Sequence, residues 1–236
     1  MRLLLLSNST NAGQSYLQHA LPHIKSFLGN DPPEVLFIPY AGVTISFDEF
    51  AGLVRDKFQE INIRLTSIHQ SNDPEKSINN AKIIVVGGGN TFQLLSLLQT
   101  NSLLEPIRKK IQSGIPYIGW SAGANIACPT IRTTNDMPIV QPDSFDALNL
   151  VPFQINPHYL DKNPDGHAGE TREMRILEFL ELNPEITAVG LREGTLLLIE
   201  DDKLSLIGDK TVRVFRHGKT TLEYNTGDNL QFLLYS

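Results

Sequence analysis

Residues 117–127 read YIGWSAGANIA. A strand-forming run, IPYIGW at 115–120, meets a serine flanked by glycines, and small residues able to open a helix follow. Gly119 to Gly123 fit the pattern G-x-S-x-G. In that pattern a strand reverses abruptly into a helix, and a serine on a strained backbone projects its hydroxyl above the sheet edge. The flanking glycines leave room that side chains would fill. The first amides of the helix and its dipole can face developing negative charge. The competing reading is a tight turn packed with small residues, so the rest of the chain must supply the context.

That context is α/β. RLLLLS at 2–7 and EVLFIPY at 34–40 are near-continuous apolar runs, the pattern of parallel strands covered on both faces. INIRLTSI at 61–68, AKIIVVGGG at 81–89 and IPYIGW repeat it. Helix-length segments lie between them, over roughly 14–29, 46–60, 91–99 and 103–113. This alternation predicts βαβ units and a mostly parallel sheet with helices on both faces. The proline-bearing segment 129–166 reads as long loops with short elements, the kind that carry function beside a sheet edge. A helix returns over 168–182, with Ile176, Leu177 and Leu180 on one apolar stripe. The runs from ITAVGLREG to TVRVFRHGKTTLEY read as strands joined by tight turns, an antiparallel extension near the C-terminus. One α/β domain over 1–236 is expected.

Composition narrows the function classes. The 236 residues carry a formal charge of −6, which offers no broad cationic footprint for a nucleic acid. The one local basic cluster, RKK at 108–110, reads as the solvated face and end of a helix. No run approaches the roughly 18–20 apolar residues that cross a bilayer. The four leucines near the start are too few for a signal segment. One cysteine, Cys128, can form neither an internal disulfide nor a multi-cysteine metal site. The plain expectation is a cytoplasmic protein with no cofactor, no metal, and no nucleic-acid or membrane partner. No coiled-coil seam is visible, and monomer and homodimer both stay open.

A second glycine run, VVGGGNTFQLL at 85–95, also passes from strand to turn to helix. It lacks the G-x-G-x-x-G of a dinucleotide fold, because Phe92 stands at the last position, and it lacks the Lys-Ser/Thr of a P-loop. An oxyanion hole built from the Gly88 or Gly89 amide and the Ala122 amide fits better, with Asn90 beside it at the substrate. The plainer alternative is a glycine-rich helix entry.

A base and an acid must accompany the serine. Of six histidines, His19 and His23 share a predicted helix face, His69 follows the third strand, and His217 sits at a hairpin turn. His158 stands out in FQINPHYLD, where a strand-like run reaches a long-loop region. His167, at a helix start in DGHAGETR, is its rival. The acid is Asp136 in TTNDMPIV or Glu193 in VGLREG. Asp143, Asp146 and Asp161 read as solvated or turn residues. Spacing does not choose between Asp136 and Glu193.

IPYAG at 38–42, GGGNTFQLL at 87–95, GWSAGAN at 119–125, TTNDMPI at 133–139, FQINPHY at 153–159, GETR at 169–172 and GLREG at 190–194 together resemble the peptidase E family. The resemblance spans essentially the whole chain. It implies a class-I glutamine amidotransferase-like fold with a nucleophile elbow. It also implies a metal-independent serine peptidase of the cytoplasm that cleaves dipeptides and related amides with an N-terminal aspartate. Carried over, Ser121 is the nucleophile and His158 the general base, with the family acid matching Asp136 or Glu193, of which Asp136 is the usual charge-relay assignment.

An N-terminal aspartyl group carries an ammonium and a carboxylate, so its site needs anchors of both signs. Arg172 is the candidate for the carboxylate, since a guanidinium reads it bidentately. Its alternative is an ordinary helix-surface arginine. Asp136 or Glu193, whichever is not the acid, can balance the ammonium. Two other readings stand beside the dipeptidase: a cyanophycinase-like hydrolase of aspartyl polymer, which would call for an open groove, and a non-catalytic binding module on the same fold.

Overall fold

The computed structural model describes residues 1–163, 165–166 and 168–235. In chain order the elements are β1 (Arg2–Leu6), α1 (Leu21–Leu28), β2 (Val35–Ile38), α2 (Phe47–Gln59), β3 (Leu65–Ser67), α3 (Pro74–Asn80), β4 (Ile84–Val86), α4 (Thr91–Thr100), α5 (Leu104–Gln112), β5 (Pro116–Trp120) and α6 (Ala122–Asn125). There follow β6 (Gln154–Tyr159), α7 (Arg172–Glu181), β7 (Thr187–Arg192), β8 (Leu196–Glu200), β9 (Lys203–Ile207), β10 (Val212–Arg216) and β11 (Leu222–Tyr224).

The first sheet has the order β3-β2-β4-β5-β1-β8-β9. Its first five strands are parallel, and β8 and β9 join antiparallel beyond β1. Apolar runs lack alternation here because both faces are covered. Leu3 and Leu5 of β1 enter a core with Leu94, Leu98 and Ile107. Leu4 and Leu6 face the opposite core with Phe37, Phe50 and Trp120. β5 and β1 run side by side with Leu6 opposite Trp120, which brings Ser7 and Ser121 to the same C-terminal edge.

Several boundaries differ from the sequence reading, each for a local reason. The helix expected over 14–29 begins only at Leu21, with Pro22 in its first turn. Proline lacks an N–H and is tolerated only there, so the residues before it form turns and His19 precedes the helix. α3 was not anticipated; Asp73 caps it by accepting from Lys76 N–H, and Pro74 opens it. Leu177, expected on the buried stripe of α7, is exposed, while Ile176 and Leu180 are buried.

The proline-bearing segment also holds a full strand. β6 lies at the edge of a second sheet, order β11-β10-β7-β6, where the missing N–H of Pro157 is tolerated. The C-terminal extension is therefore divided, with β8 and β9 extending the first sheet and β10 and β11 completing the second. Arg108 of the RKK cluster donates to the Leu148 and Ala147 carbonyls, so it is a tether rather than a free surface charge. Among the described residues no helix is long and apolar enough to cross a membrane.

Candidate active site

The turn between β5 and α6 holds Ser121 at φ 53° and ψ −111°, a conformation a side-chain-bearing residue seldom adopts. The chain can fold this tightly because Gly119 and Gly123 lack side chains. A Cβ on Gly119 would strike the Gly123 carbonyl, and one on Gly123 would strike the Val86 carbonyl. Ser121 N–H donates to Leu6 O at 3.0 Å, tying the turn to the end of β1. The glycine run after β4 approaches from the side: a Cβ on Gly88 would lie 3.0 Å from the Ser121 Cβ. Among the described residues, the Gly88, Gly89 and Ala122 amides donate to no backbone carbonyl, so they are free to face an oxyanion.

β6 shifts register between Asn156 and Tyr159, and His158 in that irregularity has φ 52°. Its N–H donates to Ser7 Oγ at 3.0 Å, and Ser7 Oγ in turn donates to Leu191 O at 2.7 Å. This buried hydroxyl stitches β6 and β7 at the end of β1. The shift turns the imidazole toward the elbow. His158 Nε2 lies 2.8 Å from Ser121 Oγ, and Nδ1 lies 2.7 Å from Glu193 Oε1. A carboxylate only accepts, so Nδ1 carries the proton and Nε2 is left to accept from the hydroxyl. Glu193 follows β7 in a turn with Gly194 at φ 87°. Asn8 Oδ1 accepts from Gly194 N–H at 2.8 Å, and Ser7 N–H donates to Thr195 O at 3.0 Å. Ser7 and Asn8 escape a reading by motif. Their one signal is the polar run SNSTN where a buried parallel strand ends, the edge at which α/β sheets place their sites.

Asp136 goes elsewhere. Its Oδ2 accepts from Thr91 N–H at 2.7 Å, from Thr91 Oγ1 at 2.5 Å and from Thr134 Oγ1 at 3.0 Å, at the N-terminus of α4. Asn90 makes three hydrogen bonds beside it. Its N–H donates to Ala41 O at 2.8 Å, its Oδ1 caps Gln93 N–H at 3.0 Å, and its Nδ2 donates to Met137 O at 2.8 Å. These bonds tie together the loops around the elbow, and Nδ2 keeps a second N–H beyond the one given to Met137 O. Arg172 opens α7 and faces a cavity of about 190 Å³ that Arg132, Asn135, Asp136, Asn156 and Arg175 also line. Among the described residues it has neither an ion pair nor a hydrogen-bond partner. Burial and the neighbouring Arg175 lower its pKa, and Asp136 works the other way. Asn156 is buried in the same cavity wall. Its Nδ2 donates to Thr133 O and Asn135 Oδ1, while its Oδ1 has no partner among the described residues.

The other candidates lie apart. His69 bridges Ser67 and Asp48, His217 meets Glu181, and Asp161 pairs with Arg192. His167 lies outside the described residues. Among the described residues no three His, Cys, Asp or Glu side chains converge as metal ligands.

Residues 3–207 match the model of peptidase family S51. The chain belongs to peptidase family S51. A peptidase E from a Nostoc species is 53% identical over 233 residues, covering 99% of this chain and 96% of that protein. Salmonella typhimurium peptidase E is 49% identical over 227 residues, covering 96% of this chain and 99% of that protein. The crystal structure of a peptidase from an acI-B1 actinobacterium shares the fold, with TM-score 0.72 at 18% identity, over 97% of this chain and 96% of that one. As a member of S51 the chain is a peptidase of the serine-hydrolase class. The S51 match ends with β9, while β10 and β11 lie beyond it and complete the second sheet.

Proposed function

We propose that this S51 peptidase hydrolyses dipeptides and related amides with an N-terminal aspartate, through Ser121, His158 and Glu193. The observation that carries the reading is the continuous contact from Ser121 Oγ through both ring nitrogens of His158 to Glu193. Ser121 Oγ attacks the Asp-Xaa carbonyl carbon as His158 Nε2 takes its proton. Glu193 keeps the imidazole in the required tautomer and balances the imidazolium. The Gly88 and Ala122 amides receive the oxyanion, with Gly89 adjacent. His158 then returns the proton to the leaving amine as the C–N bond breaks, which leaves an aspartyl ester on Ser121. A water deprotonated by His158 attacks that ester, and aspartate departs. The half-exposed side chains of His158 and Glu193 leave a path for this water.

Arg172 meets the aspartate carboxylate in this reading. A half-buried, unpaired guanidinium facing a small cavity is costly unless an anion completes it. The substrate ammonium lies toward the Asp136 carboxylate and the unpartnered Oδ1 of Asn156. The single cysteine is buried and its thiol pKa is pushed up to about 12. A chain with no disulfide to lose fits the cytoplasm as its compartment.

The test is kcat/KM for Asp-Leu, Asn-Leu, Glu-Leu and N-acetyl-Asp-Leu. Asp-Leu is expected to be turned over best, and the N-blocked peptide poorly. Arg172→Met should lower Asp-Leu cleavage by roughly 10²–10³ and Asn-Leu cleavage much less, since the neutral amide never needed the charge. Equal proportional losses on both substrates would remove Arg172 from the aspartate pocket. Failure to cleave any Asp-Xaa peptide would overturn the activity itself.

A further inference from the structure

Beside the elbow lies a second cavity, of about 380 Å³, of whose walls the mechanism above uses only the Gly88 and Gly89 amides. Ala41 to Ile45 and Phe50 line it from one side, Gly88, Gly89 and Asn90 from another, and Ile139 also contributes to its wall. Among the described residues no charged side chain lines it. Val43 and Ile139 come from loops far apart in sequence, yet both are about half exposed and face this space. Gly42 sits tightly on Phe50, which is buried and forms the floor.

The cavity is pre-formed by Asn90. One hydrogen bond from its backbone fixes the Ala41 loop, and one from its side chain fixes Met137 O. Ile139 N–H then donates to that same carbonyl at 2.9 Å. The fastened 137–139 turn separates the two cavities: Met137 lines the arginine-bearing one and Ile139 the apolar one. Gly88 belongs to the apolar cavity and also abuts Ser121.

We infer that this apolar cavity is the subsite for the residue after the scissile bond, and that it favours a leucine- or phenylalanine-like side chain. The inference rests on the Asp-Xaa reading above. If the aspartyl residue lies in the arginine-bearing cavity, the acyl carbon lies at Ser121. The leaving residue then falls on the opposite side of the Asn90–Met137 tie. An aliphatic or aromatic side chain there covers Val43 and Ile139 and loses no polar contact, whereas a charged one finds no partner. The free carboxylate of a dipeptide stays at the open mouth, in water.

The experiment is kcat/KM for Asp-Leu, Asp-Phe, Asp-Gly, Asp-Glu and Asp-Lys with the wild-type enzyme and with Val43→Glu and Ile139→Ser. Wild type should prefer Asp-Leu and Asp-Phe over Asp-Gly by roughly 10–10²-fold, the scale at which apolar pockets discriminate. Ile139→Ser should shrink the Leu-to-Gly ratio, and Val43→Glu should raise Asp-Lys relative to Asp-Leu by at least ~10-fold. Asp-Gly turnover, which makes little demand on the cavity, reports whether each variant keeps its fold and its elbow. Turnover with these ratios unaltered by either substitution would overturn the subsite alone. No turnover of any Asp-Xaa peptide would overturn the parent reading and the subsite with it.

Discussion

Asp136 lies against the N-terminus of α4 and Glu193 in the turn after β7, and their partners differ in kind. Glu193 accepts from an imidazole that also reaches the Ser121 hydroxyl, whereas Asp136 accepts from one amide and two hydroxyls. The two carboxylates therefore predict separable phenotypes. Glu193→Gln replaces a pure acceptor with a group that can also donate, so the imidazole can turn to the wrong tautomer. A fall in kcat of roughly 10³–10⁴ is expected, with little change in unfolding midpoint. Asp136→Asn disturbs the cap of α4 and leaves Thr91 N–H less well satisfied. A stability loss of about 1–3 kcal/mol is expected, with KM for Asp-Leu raised and kcat lowered far less. Steady-state kinetics and denaturant midpoints on both variants decide the matter. A larger kcat loss in Asp136→Asn than in Glu193→Gln would reverse the proposed roles.

At the scale of elements, His158 depends on a strand that breaks its own regularity. The shift in β6 leaves the His158 N–H without a ladder partner, and Ser7 Oγ supplies one while donating to Leu191 O of β7. Ser7→Ala orphans both backbone groups in a buried place. The expected cost is about 1–3 kcal/mol in unfolding free energy, accompanied by a lower kcat as the imidazole loses its fixed approach to Ser121. Loss of stability with kcat untouched would make Ser7 a packing residue only. The same strand marks the limit of what is legible in sequence. β1, β2, β4 and β5 announce themselves because burial on both faces produces unbroken apolar runs, and G-W-S-A-G announces the turn after β5. β6 shows only as a strand-like run in FQINPHYLD, because its edge position and the irregular register that aims His158 past Pro157 leave no periodic signal. Which carboxylate reaches His158 is illegible for a related reason. It depends on pairing β6 with β7 and on the fit of Asn8 against Gly194, relations between residues far apart in the chain.

Across the whole molecule, two regions tie stability to pH through different groups. In the second sheet Arg192 pairs with Asp161 and Glu223, and Arg213 pairs with Glu223 and Glu173, joining β7, β10, β11 and α7. The Arg192 hydrogen bonds hold the carboxyls of Asp161 and Glu223 below the usual carboxylate range. Both carboxylates are partly exposed, so solvent screening reduces what the pairs contribute. A depressed folded pKa means stability present above the unfolded value, near about 4, and lost as pH falls through the folded one. Just before α1, His19 has both ring nitrogens buried and without a partner among the described residues. Burial lowers its pKa from 6.5, His23 adds to the lowering, and Glu193 opposes it. The unfolded chain then binds a proton that the folded chain resists, so stability begins to fall as pH drops below about 6.5. Denaturant midpoints between pH 7.5 and pH 3 should therefore decline in two stages. His19→Phe should flatten the first stage and leave the second, while Arg192→Met should lower the midpoint at neutral pH and flatten only the second. A profile in which His19→Phe leaves the upper slope intact would show that another group titrates there. One in which Arg192→Met leaves the lower slope intact would detach acid sensitivity from the second sheet.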